Sequence, residues 1–345
     1  MDYNTIVYIG RFQPPHLAHI QIMKQALKEG NQLIVLVGSA NQPRTIKNPF
    51  TVAERAEMIL ASLPETVHER VSILPLRDKT YNDQQWALQV QEIVASVTSD
   101  RNPGDNVAIM GHSKDETSYY LDMFPQWNLI DVSNIEDIHA TDVRDAYFTA
   151  EDEDDFDLKI GRNLPAAIHD FLKAFMLRPE YDALVAEYDF LEDYKRGWDE
   201  APYTPTFVTV DTVVIQSGHV LLVKRRANPG KGLYAIPGGF LNPEERIKDG
   251  AIRELREETK IKVPAPVLRG SIKSQEVFDH PERSLRGRTI TNAFLIELPP
   301  GELPKVKGSD DAEKAMWVPL NVLNRMEDQL FEDHYHIIQH FLGEV

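Results

Sequence analysis

Not one of the 345 residues is cysteine, so disulfides, thiolate metal sites and cysteine nucleophiles are all excluded. Base is scarce relative to acid: 37 Lys+Arg stand against 54 Asp+Glu, a formal net charge of -17. That balance argues against nucleic acid or an anionic membrane as a standing partner. The shortfall is uneven, with 12 basic against 19 acidic residues in 1–150, 6 against 15 in 151–200 and 19 against 20 in 201–345, which puts the excess acid in the first half and the middle. No apolar run approaches the ~20 residues of a membrane span, and the opening MDYNTIVYIG has neither a basic region nor a long apolar stretch. These absences predict a soluble cytoplasmic protein. The length is generous for a single core, so two domains are expected.

Among what is present, the stretch GGFLNPEERIKDGAIRELREETKI (238–261) is the most informative. Glu254, Glu257 and Glu258 are spaced i, i+3 and i+4, so one helix face carries all three carboxylates. Such acids repel one another. A hard, oxygen-only set suits Mg2+ or Mn2+, with Arg253 and Glu245 placed to orient the acids; a solvated acidic face is the alternative on residue type alone. The full spacing runs from Gly239 over five residues to Glu245, over seven more to Arg253-Glu254-Leu255-Arg256-Glu257-Glu258-Thr259, and then to Ile261. It resembles the signature of the Nudix hydrolases. The resemblance implies a metal site at Gly239, Glu254, Glu257 and Glu258, with Glu257 and Glu258 catalytic and Mg2+ (or Mn2+) activating a water against a diphosphate bridge. Lys260 stands where that family usually has Gly, at a position whose left-handed cap costs a side chain roughly 1 kcal/mol. Asn242-Pro243 reads as a helix start, whereas the resemblance leaves Glu245 in the preceding loop.

In the first half, short apolar runs at 5–9, 32–37, 71–76, 106–110 and 129–132 alternate with segments of helical period. That pattern predicts a parallel, doubly wound sheet whose ligands bind beyond the carboxyl ends of the strands. There the first strand runs into Gly10-Arg11-Phe12-Gln13-Pro14-Pro15-His16-Leu17-Ala18-His19. The prolines hold off helix until His16, which places His16 and His19 one turn apart at a helix N-terminus, a natural seat for phosphate. The stretch resembles the H-x-G-H motif of the nucleotidyltransferase superfamily, with Ala18 for Gly, and in its length the archaeal-type nicotinamide mononucleotide (NMN) adenylyltransferases. Ile138-His139-Ala140-Thr141-Asp142-Val143-Arg144 is similar to that superfamily's I-S-x-T-x-x-R, departing at His139 and Ala140.

The resemblance spans roughly 5–176 and implies a Rossmann-like nucleotidyltransferase domain that binds ATP and NMN. Arg11, His16, His19, Lys47 and Arg144 are then the catalytic cations and donors, with His19 donating to the α-phosphate in the transition state. Gly10, Phe12, Gly38, Ser39, Asn82, Trp86, Gly111, Lys114, Asp115 and Thr141 are then substrate contacts, Trp86 stacking the nicotinamide and Asn82 bonding its carboxamide. On residue type alone Trp86 reads equally as core. The NMN phosphate is itself a nucleophile, so the protein has only to hold two anions together and stabilise charge on the α-phosphorus and the departing diphosphate.

The run EDEDD (151–155) reads as a solvated loop or helix start, 164–176 and 181–194 as amphipathic helices, and Pro202 and Pro205 as breakers ahead of a strand-rich region. There 208–215 and 220–223 predict a hairpin about Ser217-Gly218. Arg283, Arg286 and Arg288 precede the apolar run 289–298 in a stretch similar to that of the ADP-ribose pyrophosphatases, which puts Arg283 and Arg286 on substrate phosphates; a solvated basic loop is the alternative. Residues 321–342 predict a single covering helix. The general base stays open among Glu258, Glu276 and Asp311.

The expected organisation is therefore α/β throughout: a doubly wound nucleotidyltransferase domain (1–176), a helical linker (177–202) and an α/β/α-sandwich Nudix domain (203–345). The expected chemistry is NAD formation from NMN and ATP, and hydrolysis of ADP-ribose to AMP and ribose 5-phosphate. Nicotinate mononucleotide or phosphopantetheine as acceptor, and a non-catalytic ADP-ribose or NAD sensor in the second domain, are the competing readings. A homo-oligomer is left open.

Overall fold

The structure, a computed structural model, describes residues 2–98, 106–112, 116–132, 139–308 and 312–343. The chain forms two compact units, Met1–Val185 and Ala186–Val345.

The first unit runs β1 (Tyr3–Gly10), α1 (Leu17–Glu29), β2 (Gly30–Val37), α2 (Val52–Ala61), β3 (Val71–Pro75), α3 (Asp83–Val97), β4 (Val107–Gly111), β5 (Asn128–Asp131), α4 (Ala140–Phe148), α5 (Glu153–Ile160), α6 (Ala166–Met176) and the start of α7 (Pro179–Arg196). The unit boundary falls inside α7, within the segment expected as a linker. Each of the five apolar runs became a strand, all parallel, in the order β3-β2-β1-β4-β5. Strands covered on both faces need continuous apolar sequence. Accordingly Val7, Ile34, Leu36 and Ile109 are fully buried against Val90 and Val94 of α3. The chain winds from β1 to one side and returns beyond it to β4, so β1 and β4 flank the switch point at which such sheets open a crevice.

Local chemistry sets the helix starts. Thr51 accepts from the Glu54 backbone N–H at 3.2 Å and Glu54 accepts from that of Thr51 at 2.7 Å, a reciprocal cap that opens α2. The acidic run serves the same purpose, with Asp152 capping α5 at the Asp155 N–H. An aromatic cluster of Tyr147, Phe156, Phe175 and Tyr181 closes this unit. Tyr181 donates to the Tyr147 carbonyl and Tyr147 to that of Leu172, so neither buried hydroxyl is left unpaired.

The second unit continues through β6 (Phe207–Gln216), β7 (His219–Arg225), β8 (Tyr234–Ala235), β9 (Gly238–Phe240), α8 (Ile247–Thr259), α9 (Ala265–Gly270), β10 (Ile272–Phe278), β11 (Thr289–Glu297), β12 (Ala312–Pro319), α10 (Leu320–Leu323) and α11 (His334–Leu342). The mixed sheet has the order β10-β11-β6-β7-β12, with β8 on β7 and β9 on β6. Among the described strands of this sheet only β6 and β11 pair in parallel. The β6–β7 hairpin turns at Ser217 (φ 47°) and Gly218 (φ 72°), both in the left-handed region a two-residue turn requires. One face is covered by α8, whose Ala251, Ile252 and Leu255 are buried.

Two expectations are corrected here. The acidic helix begins after Arg246, not at Asn242-Pro243, and Glu245 lies in the loop. Residues 321–342 are not one helix. Helix α10 stops after Leu323; the chain then passes Leu330 beside Tyr234 with the Phe331 N–H on the Tyr234 carbonyl at 2.7 Å, and turns at Glu332 (φ 47°) before α11. Burial of Leu330 and Phe331 against β8 outweighs the helical period there.

Two candidate active sites

In the first unit three chain segments meet at the carboxyl end of β1. Gln13 clamps the backbone of Phe50, donating to its carbonyl and accepting from its N–H, both at 2.9 Å. Arg144 reaches from the middle of α4 to the Gln13 carbonyl at 2.9 Å and to Thr141 Oγ1 at 3.1 Å. The loop after β1, the loop before α2 and the second motif are thereby fixed to one another. Phe12 is buried with φ 52° and turns its ring back over Gly10, where a Cβ would lie 2.7 Å from Phe12 Cζ. Glycine at position 10 leaves the space that the ring fills.

His16 and His19 pack with ring centroids 3.6 Å apart, and the His16 backbone N–H donates to His19 Nδ1 at 3.3 Å. Burial, and then the nearby His139, lower the His16 pKa to about 4. Burial and His16 likewise push His19 well below the ordinary imidazole value. Both rings are therefore neutral at pH 7. The buried Nδ1 of His16 has no hydrogen-bond partner, an unsatisfied polar atom at a helix start that an anionic ligand's oxygen or an incoming proton would answer.

In the second unit α8 presents its acids to the Gly238-Gly239 backbone. Glu258 accepts from the Gly238 N–H at 3.0 Å. Its pKa is raised to about 8, foremost by burial, and further by Glu254 and Asp211, against the opposing effects of the Gly238 N–H and Arg225. Burial also raises Glu254. A Cβ on residue 239 would lie 2.6 Å from the Glu254 carboxyl carbon, so this approach requires glycine. Arg253 holds the acids apart, donating to Glu245 at 2.9 Å, Glu254 at 2.7 Å and Glu257 at 3.0 Å. In that arrangement no three Asp, Glu or His side chains converge on one point among the described residues. The donor set nonetheless suits a hard divalent cation: all oxygen, with Glu254 and Glu258 half-buried and the pKa of Glu258 pushed up foremost by burial.

Residues 7–146 match the cytidylyltransferase-like family and residues 205–341 the NUDIX domain. A nicotinamide/nicotinic acid mononucleotide adenylyltransferase of Acinetobacter baylyi is 36% identical over 187 residues, which is 54% of this chain and 94% of that protein. An ADP-ribose pyrophosphatase of Methanocaldococcus jannaschii is 34% identical over 140 residues, 41% of this chain and 75% of that protein. A crystal structure of a bifunctional NMN adenylyltransferase/ADP ribose pyrophosphatase from Francisella tularensis, complexed with AMP and a Mn ion, superposes with a TM-score of 0.89 at 36% identity over 99% of both chains. The chain belongs to this two-domain family, cytidylyltransferase-like first and Nudix second.

Within the cytidylyltransferase-like unit, other predicted residues take positions of their own. Ser39 has φ 49° and donates its backbone N–H to Asp78 Oδ1 at 3.2 Å; the preceding Gly38 N–H is held by the Gly10 carbonyl at 2.8 Å. Arg11 is exposed and Lys47 half-buried. Asn82 caps α3 through its Oδ1, which leaves its amide NH2 for a ligand. Trp86 leans on Tyr120 and Phe124, half in the core. Gly111 is packed under Leu121, whose Cδ2 a Cβ there would meet at 2.7 Å. Lys114 and Asp115 lie outside the described residues.

In the Nudix unit Arg283 is paired inside the protein. It is buried with the Nε–Nη2 edge of its guanidinium on the Asp333 carboxylate at 2.9 and 2.8 Å, because a desolvated guanidinium needs a fork-shaped partner. Arg286 lies 5.0 Å over the half-exposed ring of Phe240 and so remains near the surface. Arg288 donates to the Asp279 carbonyl. Of the three candidate bases, Glu258 is at the site, Glu276 lies on the edge strand β10 and is exposed, and Asp311 is outside the described residues.

Sequence reasoning passed over several residues. Arg55 is 1% exposed and bonded to backbone carbonyls of the loop after β1 and of the turn after β2. Asp211 is buried in β6, bonded by the Thr291 hydroxyl, with burial raising its pKa to about 6. His334 accepts from the Ile236 N–H at 3.1 Å and is held neutral by burial, with a pKa near 3. The first two had a signal: a charge inside an otherwise apolar helix stripe (Arg55, Met58, Ile59) and one inside the strand FVTVDTVVIQ. His334 had none.

Proposed function

We propose that the first unit transfers the adenylyl group of ATP to NMN, giving NAD and diphosphate, and that the second hydrolyses ADP-ribose to AMP and ribose 5-phosphate. The observation that supports the first reading is the convergence of the His16–His19 pair with Arg144 at the switch point, tied through Gln13. Neutral imidazoles at a helix start can accept a proton as phosphate arrives and then donate to the α-phosphate oxygen as charge builds on it. Arg11, Lys47 and Arg144 offset the repulsion between the two anionic substrates, and the Gly38–Ser39 turn borders the adenylate. Asn82 and Trp86 receive the nicotinamide. The name of the Acinetobacter relative carries both mononucleotides, which favours nicotinate mononucleotide as a second acceptor.

For the Nudix unit the support is the packing of Glu254 and Glu258 against a glycine backbone that excludes any side chain. Glu254, Glu257 and Glu258 would hold a divalent cation, Mg2+ or Mn2+, which when bound supplies Lewis acidity to the diphosphate and its attacking water. Arg253 orients those acids, Glu258 takes the proton from the water once ionised, and Arg286 meets a phosphate. Such charged nucleotides do not cross a bilayer unaided, so both reactions belong in the cytoplasm. The test is direct: the full chain with ATP, Mg2+ and either NMN or nicotinate mononucleotide, and separately with ADP-ribose and Mg2+ or Mn2+, with products resolved by chromatography. Absence of dinucleotide in the first reaction, or of AMP in the second, would reject the corresponding reading.

A further inference from the structure

Arg55 lies on α2, away from every motif used above, yet its side chain is almost completely enclosed. Its donors go to main-chain carbonyls from three separate places. Nη1 reaches the carbonyls of Arg11 at 2.6 Å and Gly38 at 2.7 Å, Nη2 that of Ser39 at 3.5 Å, and Nε that of Thr51 at 3.3 Å. Arg11 follows β1, Gly38 and Ser39 follow β2, and Thr51 caps α2. A planar fork of five donors can satisfy such a divergent set from one point, whereas a lysine ammonium cannot span it.

The turn being held is conformationally unusual. Ser39 (φ 49°) and Asn41 (φ 59°) both occupy the left-handed region, which side-chain-bearing residues adopt at a cost and keep only where surroundings enforce it. The enforcing contacts are the Arg55 bonds on the Gly38 and Ser39 carbonyls, the Asp78 carboxylate on the Ser39 N–H, and the Ala40 N–H on the Leu76 carbonyl at 3.1 Å. Burial tends to strip the charge from Arg55, while Asp78 and Glu54 favour keeping it. The guanidinium is thus a fixed cation directly behind the loops that border the nucleotide.

We propose that Arg55 is a positioning residue for ATP: it sets the spacing between the loop after β1 and the turn after β2, without touching the ligand itself. This rests on the adenylyl-transfer reading for the identity of the nucleotide. The proposed acceptor contacts are held independently, Asn82 by its own helix cap and Trp86 by Tyr120 and Phe124. Loss of Arg55 therefore falls on one substrate.

The experiment uses the full chain with Arg55→Lys and Arg55→Met, measuring ATP and NMN binding separately by calorimetry and NAD formation with each substrate varied. ATP binding weakens about tenfold in the lysine variant and about a hundredfold in the methionine variant, NMN binding shifts less than twofold in the lysine variant, and KM for ATP follows its binding. Unchanged ATP binding in either variant, or an equal loss for ATP and NMN in the lysine variant, overturns the proposal. If the methionine variant does not fold, the lysine variant decides alone. A parent chain that binds ATP but forms no dinucleotide would discard the adenylyl-transfer reading while leaving the Arg55 comparison in force.

Discussion

The two sites solve opposite electrostatic problems. In the cytidylyltransferase-like unit the groups proposed to meet anions are imidazoles that burial keeps neutral. In the Nudix unit the groups proposed to meet a cation are carboxylates, and burial pushes the pKa of Glu258 up to about 8. In both, the protein without ligand avoids burying an unpaired charge, because an isolated ion in a low-dielectric interior costs several kcal/mol. On the proposed reading, a bound ligand would supply the missing opposite charge and draw each group toward its ionised form.

The largest effect that would sharpen this contrast is loss of the deepest acid. Glu258→Gln lowers ADP-ribose hydrolysis by about 10³-fold while NAD formation stays at the parental rate, since an amide can neither ionise nor hold the cation as strongly. Parallel steady-state assays of the two reactions on one preparation check it. Next, His19→Ala lowers NAD formation by on the order of 10²-fold with NMN binding little changed and ADP-ribose hydrolysis untouched. An unaltered turnover would remove the imidazole from the transition state.

The comparison also makes a prediction of opposite signs in pH. Between pH 6.5 and about 4 the unfolded chain carries a proton that folded His16 refuses, so acidification across that window destabilises the first unit, by on the order of 3 kcal/mol for this group. Below about pH 4 the folded state takes the proton too and no further loss accrues. Glu258 runs the other way. Between pH 4.5 and about 8 the folded state keeps a proton that the unfolded chain has released, so in metal-free protein the second unit loses stability as pH rises. Hydrogen exchange resolved by peptide, with chelator present, reads the two units separately. Excess Mn2+ should flatten the slope of the second unit only.

The smallest effect concerns a single backbone angle. Lys260 closes α8 at φ 46°, ψ 31°, the left-handed cap that glycine adopts without strain. Lys260→Gly raises the stability of the second unit by about 0.5–1 kcal/mol with no change in either activity, read as a shift in denaturant midpoint.

Much of this was legible in the residues. Five apolar runs marked five strands, Pro14-Pro15 marked where α1 could begin, and the i, i+3, i+4 acids marked one face of a helix. The helix expected over 321–342 misled because its period is real but interrupted by Leu330 and Phe331, which are needed elsewhere. For Arg283, residue type alone does not record the buried pairing with Asp333, fifty positions along the chain.

What the amino-acid order determined by itself was everything carried by a contiguous stretch: strand, helix start, the spacing of the histidines, the stacking of the acids. Periodicity and capping act over a few residues, so they can be read without knowing where the chain goes. Only the tertiary structure decided which of those groups stay charged, which are spent on one another and which loops are tied together. Arg144 reaches Gln13 across 131 positions and Arg55 reaches Arg11 across 44. Desolvation likewise depends on what folds over a residue, and no local spacing records that.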